Sequence, residues 1–218
     1  MQVILFGIGS PIVVEYVETC RRLGYSIVAA IKNRNSEVYF EDHRKIVGID
    51  AITPETRAHS CLCPMFTPAN RALATQEAKT HGFRFEETLI DPNAITSPTS
   101  RVGGGSFVNA GCIIGANGSI SRHVLVNRGA SIGHHVAIGD YVSIGPGAII
   151  GGLAVIGRGA MIGAGAILLP KVRIGAFAVV GAGALVTRDI STCTKVIGNP
   201  ARVIEENLAE FVLPDVAP

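Results

Sequence analysis

The chain has 218 residues, 19 Lys and Arg against 17 Asp and Glu for a formal net charge of +2, 26 glycines and no tryptophan. That length allows one large domain or two small ones with a real core, and the near-neutral charge, without a long block of like charges, excludes a nucleic-acid or membrane-surface tail. The cysteines Cys20, Cys61, Cys63, Cys112 and Cys193 are odd in number and have no C-x-x-C spacing, so reduced thiols are expected in place of a disulfide framework or a zinc ribbon.

The opening run "VILFG" is too short to span a membrane and has no basic region before it, so the expected location is the cytoplasm. "QVILFGIGSPIVVEYVETCRRLGYSIVAAIKN" reads as strand, glycine turn, helix and strand, with Pro11 suited to the first turn of the helix, whose N-terminus suits a phosphate. As a dinucleotide fingerprint the turn is weak. Gly7 and Gly9 are present, but Ile12 stands where the third glycine belongs, and the second strand ends in Lys32-Asn33 where an acidic residue would hold a ribose. "SCLCPM" reads as a buried strand, and "TPANRALATQEAKTHG" as a helix capped by Thr67, with Pro68 at its first position and Gly82 after its end. Residues 1–90 are therefore expected to form a small α/β domain, which "LIDPNAITSPTSRVGGG" joins to the second half of the chain.

From Val102 a period of six sets in: Val108, Ile114, Ile120, Val126, Ile132, Ile138, Ile144, Ile150, Ile156, Ile162, Leu168, Ile174, Val180 and Val186 continue it. Gly follows most of these anchors, and the residue four past each is small or β-branched, as at Ala130, Val136, Ala148, Ala160 and Ala184. Neither a helix nor an ordinary strand has that period. A left-handed parallel β-helix of hexapeptides does: each hexapeptide is a short strand and a corner, the anchor points inward, and three close one coil. Residues 91–190 are expected to form about five such coils, and residues 191–218 a cap and tail, with "ARVIEENLAEF" after Pro200 as a short C-terminal helix.

Two adjacent histidines stand out in this small, aliphatic run. His134 and His135 lie two and three residues past the anchor Ile132, near a corner and outside the packed interior, so core filling does not explain them. One coil later, roughly 4.8 Å along the axis, the matching place is Gly152, where a bare backbone admits a ligand. An imidazole beside an exposed backbone N–H suits proton removal and oxyanion stabilisation. A solvated corner is the bland alternative.

The order of a Rossmann-like domain, "LIDPNA", coils carrying "RHVLVNRGASIGHHVAIGD", and then "VIGNPARVI" resembles the bacterial hexapeptide-repeat sugar O- and N-acetyltransferases related to sialic acid O-acetyltransferase and to the bacillosamine-pathway N-acetyltransferase. The resemblance covers nearly the whole chain. It implies acyl transfer from acetyl-CoA to an amine or hydroxyl of a small acceptor, most often a nucleotide-linked sugar, in a homotrimer with sites between chains and no metal. Within it His134 matches the general base, Asn127 a nearby polar residue and Gly152 the oxyanion glycine. Gly152, Ala164 and Ala182 match backbone positions along the pantetheine arm, and Gly198, Asn199, Pro200 and Ala201 match the segment near the nucleotide end of CoA. The acceptor side would use the turn Gly7, Gly9, Ser10 and Pro11, together with Lys32, Asn33 and Ser143. That half departs from the family. Pro11 replaces a His, Lys32-Asn33 an acidic pair and Ser143 a second His, while His135 stands where a carboxylate usually orients the base. Open alternatives are a non-sugar acceptor, a catalytically silent scaffold, and a γ-type carbonic anhydrase, for which His123 falls on a different face from the histidine pair.

Overall fold

The computed structural model describes residues 1–211. Strand β1 (Gln2–Phe6) is buried along Val3 to Phe6, as an unbroken apolar strand covered on both faces must be. It sits inside a parallel sheet of order β3-β2-β1-β4, with β2 at Ser26–Lys32, β3 at Ile46–Gly48 and β4 at Ser60–Leu62. Helix α1 (Val13–Leu23) ends at Gly24 in the left-handed region, φ 67°, with Arg21 and Arg22 against its negative end. Its N-cap is Ile12, so Pro11 lies in the turn ahead of the helix and not in its first turn as expected. A single turn, α2 (Pro54–Arg57), precedes α3 (Pro68–Thr80). Thr67 is the N-cap residue of α3 and Pro68 opens it, but the Thr67 side chain makes no capping bond.

The six-residue period becomes a parallel β-helix. Its two-residue strands stack into three faces: a first running up from Leu89–Ile90, a second from Ile95–Thr96 and a third from Arg101–Val102. Pairing partners are eighteen residues apart, for example Ile114 with Ile132 and Ile132 with Ile150. The anchors and the small residues between them, from Val108 to Val196, form one buried column along the axis. Coiling begins two hexapeptides before Val102, because Ile90 and Thr96 already pair with Val108 and Ile114. The register changes after Val186, where Val180 pairs with Val196. Beyond it the expected helix is absent: Arg202–Glu205 is a strand antiparallel to Lys195–Ile197.

The residue just before each anchor points outward, and the three faces differ there. On the first face Leu89, Phe107, Leu125 and Ser143 are fully buried, because the α/β domain lies against them. On the second face Ile95, Ile113, Ile149 and Ile167 are 38–67 % exposed. The third carries Arg101, Ser119, Ala137, Val155 and Arg173.

Arg71 of α3 fastens the α/β domain to the first face. Its buried guanidinium donates to the carbonyls of Met65, Phe66, His123, Tyr141 and Val142 and to Ser143 Oγ. Burial without a carboxylate partner lowers its pKa to about 10, and the ring of acceptors keeps it charged at neutral pH. A second clamp is the buried Asp91 of "LIDPNA", which accepts from Thr19 (2.7 Å), from Arg22 and from the Asn93 N–H.

Candidate active site

The corner after the second face carries the histidine pair. Ladder bonds flank it: Gly133 N donates to Ile150 O, and Leu153 N to His134 O. Gly152 sits under the imidazole, since a Cβ built there would lie 2.8 Å from His134 Nε2. The glycine thus makes room for the ring itself. His134 Nδ1 is 3.1 Å from His135 Nδ1, and His135 Nε2 is 3.1 Å from the amide of Asn117, one coil earlier. Both histidines and Asn117 are exposed in the single chain.

The corner before the second face carries the other half. A groove of about 390 Å³ runs between Ile12 and Phe66 on the α/β side and Asn127, Pro146, Gly163, Ala164, Gly181 and Ala182 on the coils. The residues two past the anchors of the first face, Pro146, Ala164 and Ala182, stack along it and leave backbone accessible. Asn127 is oriented at its foot. Its Oδ1 accepts from Asn109 Nδ2 (3.0 Å) and from the Arg128 N–H (2.8 Å), while Glu15 of α1 holds both Asn109 and Arg128. At the upper end Gly198 to Ala201 folds over the last coil, with Leu185 N donating to Gly198 O and Ala201 N to Leu185 O.

A third element adjoins the groove at Phe66. A pocket of about 340 Å³ opens at the carboxyl ends of β1, β2 and β4, where the strand order reverses, the usual binding crevice of an open parallel sheet. Gly9, Ser10, Asn33, Arg34, Ser36, Thr67 and Asn70 line it. Glu77 of α3 fixes the rim by accepting from Asn33 Nδ2 (2.8 Å) and pairing with Arg34 (2.9 Å). Gly7 lies behind the wall, with Met65 in the space a side chain would need. Pro11 and Lys32 are not among the lining residues. Ser143 is not brought into either cavity: it is fully buried at the domain junction, donating to Phe66 O and accepting from Arg71.

Thus one chain brings Asn127, Ala164 and Ala182 together beside the α/β pocket, and His134 and His135 together with Gly152, but places the two groups on opposite edges of the exposed second face. His123, whose ring stacks on Tyr141 at 4.7 Å, is buried elsewhere. Among the described residues no three His, Cys, Asp or Glu side chains are grouped to hold a metal, and no helix is long and apolar enough to cross a membrane.

Residues 153–188 match the family model described as bacterial transferase hexapeptide (six repeats). The acetyltransferase domain of PglB from Neisseria gonorrhoeae FA1090, solved with acetyl coenzyme A, superposes with a TM-score of 0.82 at 27% identity, covering 93% of this chain and 98% of that one. PerB from Caulobacter crescentus, solved with CoA and GDP-perosamine, gives 0.81 at 29%, covering 94% and 98%. WeeI from Acinetobacter baumannii AYE, at 22% identity and a TM-score of 0.76 over 94% of this chain and 100% of that one, shares the fold. Comparison with curated protein sequences gives no match. The fold and the site define a transferase with a left-handed hexapeptide β-helix behind a small Rossmann-like domain. Within that class the chain is similar over nearly its whole length to acetyltransferases solved with acetyl coenzyme A or CoA, and it is an acetyltransferase.

Proposed function

We propose that the protein moves an acetyl group from acetyl-CoA to an amine of a nucleotide-linked sugar, in the cytoplasm, at sites shared between the chains of a homotrimer. The observation that carries the reading is the split of the site: the histidine corner and the groove flank one exposed apolar face. Packing that face on a second copy covers Ile113, Ile149 and Ile167 and brings the His134 corner of one chain toward the groove of its neighbour. A cyclic trimer closes such heterologous contacts into a ring. The known relatives' complexes with acetyl coenzyme A, CoA and GDP-perosamine support the choice of donor and acceptor class.

In this reading residues 1–90 hold the acceptor, 91–190 the donor, and the segment from 191 closes the nucleotide end of CoA. Gly9, Ser10, Asn33 and Arg34 meet the acceptor's phosphates and base in the α/β pocket. The small corners at Ala164 and Ala182 let the pantetheine arm bond to backbone. His134 Nε2 takes a proton as the acceptor nitrogen attacks the thioester carbon. The C–N bond forms, the oxyanion is met by the Gly152 N–H, and collapse breaks the C–S bond while His134 returns the proton to sulfur.

The test is thiol release from acetyl-CoA with a panel of nucleotide-linked amino sugars, GDP-perosamine among them, against the corresponding hydroxyl sugars. Turnover with an amino sugar and loss of it in His134→Ala support the reading; turnover only with a hydroxyl or a non-sugar amine overturns the acceptor assignment.

A further inference from the structure

The residues three past the second-face anchors Ile114, Ile132, Ile150 and Leu168 share one backbone state. Asn117, His135, Leu153 and Lys171 all have φ between 57° and 68°. Similar positive φ values eighteen residues apart set these residues at matching places of successive coils, and at the first two the side chains meet. This places the Asn117 amide 3.1 Å below His135 Nε2. His135 in turn meets His134 Nδ1 to Nδ1 at 3.1 Å. Asn117, His135 and His134 therefore form one hydrogen-bonded line, and such a line has a direction.

Each nitrogen pair shares one proton. In the structure Asn117 Nδ2 is the atom nearest His135. With the amide nitrogen donating, His135 Nε2 accepts, His135 Nδ1–H donates to His134 Nδ1, and His134 Nε2 carries a proton. Turning the amide by 180° puts its oxygen in the same place and reverses every bond. His135 Nε2–H then donates to Asn117 Oδ1, His134 Nδ1–H donates to His135 Nδ1, and His134 Nε2 presents a lone pair toward the space over Gly152. Only the second setting gives a general base.

Resting on the reading of His134 as the base, we propose that Asn117 is the positioning residue that selects the tautomer of the histidine pair, and that transfer runs from the setting in which its amide oxygen accepts from His135. In that setting Asn117 and His135 together replace a carboxylate: the imidazole supplies the acceptor atom and Asn117 fixes its polarity. A proton taken by His134 Nε2 is then stabilised through His135 and the amide dipole.

Asn117→Asp tests the direction, because a carboxylate only accepts and Asp tolerates a positive φ, while Asn117→Gly removes the side chain and suits the same backbone. Thermal melting verifies that both variants fold. The readouts are ¹⁵N NMR shifts of the His134 ring, which report the protonated nitrogen without any substrate, and kcat and KM for thiol release with acetyl-CoA as the probe. The expected result is a bare Nε2 in the wild type, more completely so in Asn117→Asp, and a tautomer mixture in Asn117→Gly. Asn117→Asp raises kcat, and Asn117→Gly lowers it about tenfold, the lower end of the cost of losing an orienting partner, with KM for acetyl-CoA unchanged. Identical tautomer populations in all three proteins, or kcat in Asn117→Asp falling as far as in Asn117→Gly, would overturn the proposal while His134→Ala still abolished release. Undiminished release in His134→Ala would overturn both the proposal and the reading beneath it.

Discussion

His134 carries the proposed chemistry because its ring lies over a glycine and its far nitrogen is anchored. Replacing it with alanine is predicted to cut kcat/KM by roughly 10²-fold to 10⁴-fold, the usual range for a general base, with little change in melting temperature because the side chain is exposed. Gly152→Ala puts a methyl where the imidazole now sits, 2.8 Å from Nε2. The exposed ring swings away at little cost, so the predicted outcome is a large fall in kcat with a Tm within a few degrees of wild type. Equal kcat in the two proteins would remove the ring from the chemistry. Both residues are legible in the sequence, since a period of six assigns every residue a corner or a face. The partners that orient them obey the same arithmetic but carry no local signal: Asn117 and His135, and Asn109 and Asn127, are pairs eighteen residues apart. Glu15 lies beyond any such pattern, because helix α1 reaches Asn109 and Arg128 only through the docking of one domain on the other.

At the scale of elements, the junction between α3 and the first face holds a buried histidine. His123 lies under Tyr141, edge-on to Phe85, with Arg71 bonded to its carbonyl and no partner at Nε2 among the described residues. Burial, reinforced by the positive charges of Arg71, Lys79 and Arg122, lowers its pKa from 6.5 to about 3. The unfolded chain takes up this proton near pH 6.5 and the folded chain does not until about pH 3, so stability present above the unfolded value is lost as pH falls through that window, by up to about 1.4 kcal/mol per pH unit. Denaturant melts between pH 7 and 4 are predicted to show the loss, and His123→Phe to flatten it; an unchanged pH profile in the variant would rule His123 out. The strand at Arg202–Glu205 marks the limit of local reading. Glu, Leu and Ala favour a helix there, but the backbone edge of Lys195–Ile197 is open to pairing, and β-branched Val203 and Ile204 suit a strand. Thr96 hid the first coils for the opposite reason: the coil tolerates a polar anchor at its end, which an aliphatic pattern does not count.

At the scale of the molecule, the residue before each anchor decides what covers each face. The first face is apolar and buried under the chain's own α/β domain, whereas the second is apolar and open. Ile149→Asp, at the middle of the open face, is predicted to turn a trimer into monomers by light scattering and to abolish transfer, although His134 and the groove are untouched. A trimer that persists in this variant would place the contact elsewhere.

Each site is held to take His134 from one chain and the groove from another, and mixing two inactive chains tests that claim most directly. His134→Ala keeps the groove, and Ala164→Trp keeps the base while blocking the groove. Each is predicted to be inactive alone. After unfolding and refolding together at equal amounts, about a quarter of the sites regain both intact halves, since each half is supplied independently with even odds in a cyclic assembly. Recovery of about a quarter of the wild-type kcat per site is the predicted result, and a mixture as inactive as its components would contradict a shared site.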